Sequence, residues 1–118
     1  MDDDAEVLRT LVKVISRRGY EVFPFDSPLK ALMFLKRESA DLILSDLKMP
    51  EMDGTQFLYD SKKLHPDVPF ILITGYATIE TAVTAIQNGA FDYLRKPFEV
   101  KKIYEVLDRA LNQGGGVP

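Results

Sequence analysis

The sequence predicts an α/β domain: a parallel sheet with helices on both faces. Three observations lead there. Along the 118 residues, helix-period and strand-period patterns alternate as α-β-α-β-α-β-α-β-α with short connections, and that order builds parallel sheets. Phe70-Ile71-Leu72-Ile73 is continuously apolar, as a strand covered on both faces must be. Finally, three strand ends carry polar residues that a plain core would not demand: Asp46, Thr74 and Lys96. A chain of this length has room for one core and not for two.

In chain order, a helix is expected over Ala5–Arg18, where Val7, Leu8, Leu11, Val12, Val14 and Ile15 recur every three or four residues. Asp4 suits its N-cap, the acids before it suit the positive end of the helix dipole, and Arg17, Arg18 and Gly19 mark its end. Tyr20–Phe25 reads as a short strand, closed by Pro24 and by Asp26-Ser27-Pro28, in which Ser27 caps the next helix and Pro28 takes its first position. That helix runs to about Glu38 and is expected to bury Leu29, Leu32, Met33 and Leu35. Leu42–Ser45 is the next strand and halts on Asp46. Turn chemistry follows in Lys48-Met49-Pro50 and Asp53-Gly54, then a helix over roughly Thr55–Leu64 with Phe57 and Leu58 inward. His65, an ordinary loop residue on this reading, ends it together with Pro66 and Pro69. The run Phe70–Ile73 ends on Thr74-Gly75, a helix from about Ile79 to Asn88 closes on Gly89, and Phe91–Leu94 is the last strand. Lys96-Pro97 then leads to a helix from about Val100 to Leu111. Residues 1–113 form the domain, and 114–118, which open with three glycines, form a flexible tail or linker.

Composition narrows the chemistry. A net charge of −3 argues against direct nucleic-acid binding, which needs clustered cations to neutralise phosphates. Without cysteine there is neither a disulfide framework nor a thiolate metal site, and one histidine cannot build an imidazole cluster. No apolar run approaches the roughly 20 residues of a membrane helix, so a cytoplasmic location is the expectation.

The organising stretch is Asp41 to Gly54, where a buried strand delivers the Asp46 carboxylate to its C-terminal end. In open parallel sheets, ligands bind in the crevice outside those ends. Taken alone, such an acid serves equally well as a helix N-cap or a solvated loop charge. Thr74 and Lys96 stand at two further strand ends on the same edge, so a carboxylate, a hydroxyl and an ammonium converge, with Asp2 and Asp3 as neighbours. Crowded carboxylates invite a hard divalent cation, and Mg²⁺ suits their oxygens. With Lys96 it would offset charge on a transferring phosphoryl group, Thr74 would hold its oxygens, and Asp46 is the natural nucleophile.

The motif Ser45-Asp46-Leu47-Lys48-Met49-Pro50 with Met52-Asp53-Gly54, then Ile73-Thr74-Gly75, then Gly89-Ala90-Phe91-Asp92-Tyr93-Leu94-Arg95-Lys96-Pro97-Phe98, resembles the receiver domain of two-component response regulators. The block around Thr74 and Phe91–Leu94 is most similar to receivers of nitrogen-regulation-type activators of σ54 promoters. The resemblance implies a flavodoxin-like (CheY-like) fold with sheet order 2-1-3-4-5 and a phosphoryl group passed from a histidine kinase's phosphohistidine to Asp46. Asp3 matches the family's main Mg²⁺-coordinating acid, Asp2 its partner and the Lys48 carbonyl the third protein ligand. Thr74 and Tyr93 match the switch pair, Lys96 matches the phosphate-contacting lysine, and its bond to Pro97 is expected to be cis. Gly75 leaves room beside Thr74 for the incoming group. Such a domain is no enzyme in the turnover sense: it assists its own phosphorylation and dephosphorylation. It signals to an output domain beyond residue 113, in a setting of transcription regulation, or through dimerisation.

One departure stands out. Receivers begin with an apolar strand just before the acidic pair, and here Met1 alone precedes Asp2. In the 2-1-3-4-5 order that strand lies mid-sheet, so the expectation is a receiver whose first strand is absent or supplied otherwise, with Asp2 and Asp3 poorly aimed, Mg²⁺ binding weak, and strand exchange or oligomers favoured. A truncated or degenerate receiver serving as a phosphorylation-independent interaction module is the alternative function. An aspartyl phosphatase is disfavoured, because Lys48 stands where that chemistry needs a second acid.

Overall fold

A computed structural model describes residues 1–2, 4–46, 54–75, 83–84 and 86–115. Its elements are α1 (Ala5–Ser16), α2 (Pro28–Arg37), β1 (Ile43–Asp46), α3 (Gly54–Leu64), β2 (Phe70–Thr74), β3 (Asp92–Arg95) and α4 (Val100–Gly115). Residues 83–84 and 86–87 are helical, and the remainder of the helix expected over 79–88 lies outside the described residues.

Caps set the helix starts as the sequence suggests. The Asp4 side chain accepts from the amides of Glu6 and Val7, and Ser27 accepts from that of Lys30 with Pro28 in the first turn. The last helix runs on to Gly115, past the end expected near Leu111, because each added residue gains a ladder bond once the helix is nucleated.

The three strands pair in parallel in the order β1-β2-β3, with Asp46 opposite Ile73, Ile73 opposite Leu94, and Thr74 opposite Arg95. The central strand shows why its sequence is apolar throughout. Ile71 and Ile73 enter a core shared with Leu11, Val14 and Ile15 of α1, Leu94 of β3 and Ile103, Val106, Leu107 and Ala110 of α4. Phe70 and Leu72 turn the other way, toward Ala31 and Leu32 of α2 and Phe57 and Leu58 of α3. Helices therefore cover both faces, and each fully buried large side chain contributes about 1.5–3 kcal/mol.

Two expectations need correction. Tyr20–Phe25 forms no strand among the described residues, although it is extended enough for the Phe25 carbonyl to accept from the Asp2 amide at 3.1 Å. A strand is defined by its neighbour, and between this segment and β1 lie Met1, Asp2 and an apolar cavity of about 350 Å³ bordered by Leu11, Val22, Phe34, Leu42, Leu44 and Leu107. The second correction concerns α2, where Leu29 and Met33 are 49% and 62% exposed. Its buried stripe is Pro28, Ala31, Leu32 and Leu35, spaced at three and four residues, which puts Leu29 and Met33 on the solvent flank.

Candidate functional site

The parallel register brings the ends of β1, β2 and β3 to one edge, where the Lys96 side chain meets Asp46 and Asp2. Lys96, one residue past β3, is fixed at its backbone by an N–H bond to the Thr74 carbonyl at 2.8 Å. Its ammonium donates to Asp46 Oδ2 at 3.0 Å and lies 2.8 Å from Asp2 Oδ2. The peptide bond from Lys96 to Pro97 is cis. Thr74, at the tip of β2, is buried, and so is Asp46. Tyr93 sits within β3, is 41% exposed, and donates its amide to Asp92 Oδ1 at 2.7 Å. A side chain at Gly75 would meet Lys96 at an ordinary 3.8 Å, so packing alone does not demand glycine there.

Asp2 is fully buried and held at several points rather than loosely placed. Met1 behaves as a single strand residue beside β1: its amino group donates to the Leu44 carbonyl and its carbonyl accepts from the Asp46 amide at 2.9 Å. Asp2 follows, its amide bonded to Phe25 and its Oδ1 accepting from the Asp4 amide at 2.9 Å. That last bond is an Asx-turn, and the same Asp4 then caps α1. The sequence marks Asp4 as a cap alone; its second role, donating its amide to Asp2, was signalled by an acid two residues before it, where an Asx-turn can form. Asp3, Lys48 and the loop through Asp53 lie outside the described residues.

The electrostatics follow from burial and from these contacts. Burial pulls the Lys96 ammonium down, but its contacts with Asp2 and Asp46 and their charges outweigh that, and its pKa stands above the ordinary lysine value. Burial pushes the Met1 amino group down to about 6, against the opposing pull of Asp2 and Asp46. Of the two contacts of Lys96, only that with Asp46 has the alignment of a hydrogen bond, so the buried Asp2 Oδ2 has no hydrogen-bond donor. A buried carboxylate oxygen in that condition, a few ångströms from a second carboxylate, fits a hard cation; among the described residues no third ligand of that kind joins them.

His65 also does more than its loop position suggests. Its Nε2 donates to the Leu35 carbonyl at 2.7 Å and ties the loop before β2 to the last turn of α2, well away from the polar edge.

Comparison with known proteins agrees with this geometry. Residues 1–108 match the family described as response regulator receiver domain. The transcriptional regulatory protein GlrR of Escherichia coli K12 is 39% identical over 113 residues, which is 96% of this chain and 26% of that protein. NtrC of Klebsiella pneumoniae is 37% identical over 112 residues, 95% of this chain and 24% of its own length. The crystal structure of the NtrX receiver domain from Brucella abortus superposes with a TM-score of 0.89 at 32% identity, covering 94% of each chain. A Burkholderia pseudomallei response regulator, crystallised with a phosphorylated aspartic acid, calcium ion and citrate, gives 0.84 at 32% identity over 98% of this chain and 68% of that one. The chain thus spans about a quarter of the length of the curated relatives it matches. With the three strand tips, the buried acid and the parallel sheet in register, it belongs to the response regulator receiver domains, similar to the receivers of NtrC- and GlrR-type transcriptional regulators.

Proposed function

We propose that Asp46 accepts a phosphoryl group from the phosphohistidine of a histidine kinase and that the domain works as a phosphorylation-controlled switch. The observation that carries this is the single Lys96 ammonium in contact with both Asp46 and Asp2 at the strand edge where Thr74 also ends. In the transfer, an Asp46 carboxylate oxygen attacks phosphorus, the bond from phosphorus to the imidazole nitrogen breaks, and the nitrogen keeps that electron pair. The Lys96 ammonium is within reach of the oxygens that gain negative charge, and Thr74 provides a hydroxyl at the neighbouring tip. Asp2 and Asp46, with Asp3 and the Lys48 carbonyl by family resemblance, are the proposed holders of Mg²⁺, which when bound offsets the charge on the transferring group. A relative crystallised with a phosphorylated aspartic acid and calcium supports the chemistry for this chain.

The acyl phosphate biases a two-state rearrangement at Thr74 and Tyr93. Val83, Ile86, Tyr93 and Val100 are all exposed apolar side chains, and they make up the face that reads the change out. An output domain, a kinase partner, dimerisation and a cytoplasmic setting belong to the same proposal. Among the described residues no helix is long and apolar enough to cross a membrane.

The test is incubation with a small phosphodonor and Mg²⁺, followed by intact-mass measurement. One added phosphoryl group, absent from Asp46→Asn, supports the proposal. No label on the wild-type chain favours the interaction-module alternative.

A further inference from the structure

We propose that the cavity beside β1 is a docking slot for one extended apolar strand presented by another protein chain, which enters between β1 and Tyr20–Phe25 and runs parallel to β1 up to Met1. The inference stands apart from the phosphoacceptor reading. One end of the slot already shows how it holds a chain. Met1 pairs with β1 through the Leu44 carbonyl and the Asp46 amide, and Asp2 bonds the Phe25 carbonyl on the other wall, so two residues bridge both walls in strand fashion. Beyond them the walls continue around a cavity of about 350 Å³, with Ser39–Leu44 along one side and Tyr20–Phe25 along the other. At about 3.3 Å per residue, walls of that length hold roughly four residues of strand ahead of Met1.

The chemistry of the slot selects its occupant. Ile43 donates to the Pro69 carbonyl beside β2 at 3.0 Å, so alternation turns the backbone of Leu42 and Leu44 toward the slot. The Leu44 carbonyl takes the Met1 amino group, whereas the Leu44 amide and the Leu42 carbonyl have no backbone partner among the described residues. On the facing wall the bond from Asp2 sets Phe23 and Phe25 inward and turns Pro24, which has no N–H to give, outward, the side on which an edge strand allows proline. Unpaired backbone groups on both walls favour an occupant with a main chain of its own over a hydrocarbon, because a main chain supplies donors and acceptors in the same alternation. Side chains meet apolar layers on both faces: Leu11 and Leu107 border one, Ala31 and Phe57 the other. The occupant is therefore apolar at every position rather than at alternate ones. Both walls lead to the end held by Met1 and Asp2, so their starts, with Glu21 and Asp41, stand at the opposite mouth, and a lysine ahead of the apolar run completes the match.

The test uses the amidated peptide Lys-Val-Ile-Val-Val with an N-terminal fluorophore, titrated with the wild-type chain and followed by fluorescence anisotropy. Saturable binding is expected, with the Leu44 and Phe25 amides gaining protection from hydrogen exchange while that of Ile43, already bonded, stays as it was. The same peptide N-methylated at its valine amides keeps its side chains and should bind at least about tenfold more weakly, as should the unmodified peptide on Leu42→Glu, with folding of that variant checked by circular dichroism. The methylated peptide needs no variant, so the outcome does not hang on how Leu42→Glu folds. No saturable binding overturns the proposal. Equal binding of the methylated peptide also overturns it and gives the cavity to apolar ligands in general. A dimer of the chain alone in sedimentation, dissociated by the peptide, gives the slot to a second copy and overturns it too.

Discussion

The two sides of β1 make a telling contrast. Toward β2 its four residues pair in continuous parallel register, and the strand beyond is wholly buried. On the other side, among the described residues, it meets one paired residue, Met1, and then the apolar cavity in front of Tyr20–Phe25. The polar tip nevertheless draws on both sides, since the Lys96 ammonium touches both Asp46 and Asp2. Local anchors at the strand ends thus place the functional atoms, while the apolar bodies of the strands supply stability.

That division can be broken from either end. The largest effect is chemical: Asp46→Asn is expected to abolish labelling by a small phosphodonor while leaving the denaturation midpoint nearly unchanged, measured by mass spectrometry and urea unfolding. Next come the strand bodies. Ile73→Ala, at a fully buried position, should cost about 2–5 kcal/mol in urea unfolding. The half-buried Leu42→Ala, on the cavity side, should cost under about 1.5 kcal/mol. Equal costs would mean that both flanks of β1 are equally packed, contrary to the contrast drawn above. Asp4→Ala should cost about 1 kcal/mol through the lost α1 cap and leave Ile73 packing untouched. The smallest effect is that of pH on the tip. The Lys96 pKa is raised in the folded chain, so the stability it contributes is complete below the ordinary 10.5 and is lost as pH rises through the higher folded value. Thermal unfolding between about pH 10 and 12 should show a steeper alkaline loss in the wild type than in Lys96→Gln.

The same contrast explains what the sequence could reveal. Asp46 and Thr74 were legible because each closes an apolar run, and Lys96 because it stands just past the last strand on the same edge. Phe70–Ile73 was legible because two-sided burial removes alternation altogether. Tyr20–Phe25 was not, since local pattern reports the propensity to extend but not whether a neighbour is there to pair with. The four apolar residues assigned inward on α2 included two that belong to the next helical row, a choice that only the partner helix settles. The bond from His65 to Leu35 joins residues 30 apart, and no local pattern encodes it.

Arg18 closes a longer circuit. Just beyond α1, its guanidinium lies 4.4 Å from the centre of the Tyr104 ring and 2.8 Å from Asp108, while the Tyr104 hydroxyl donates to the Val14 carbonyl. The far end of α1 is thereby clamped to the last helix, and its near end, through Asp4, grips Asp2. Twelve helical residues make a rod of about 18 Å between those two grips. The final helix and the acid beneath Lys96 are thus joined by contacts that run along α1 rather than across the sheet.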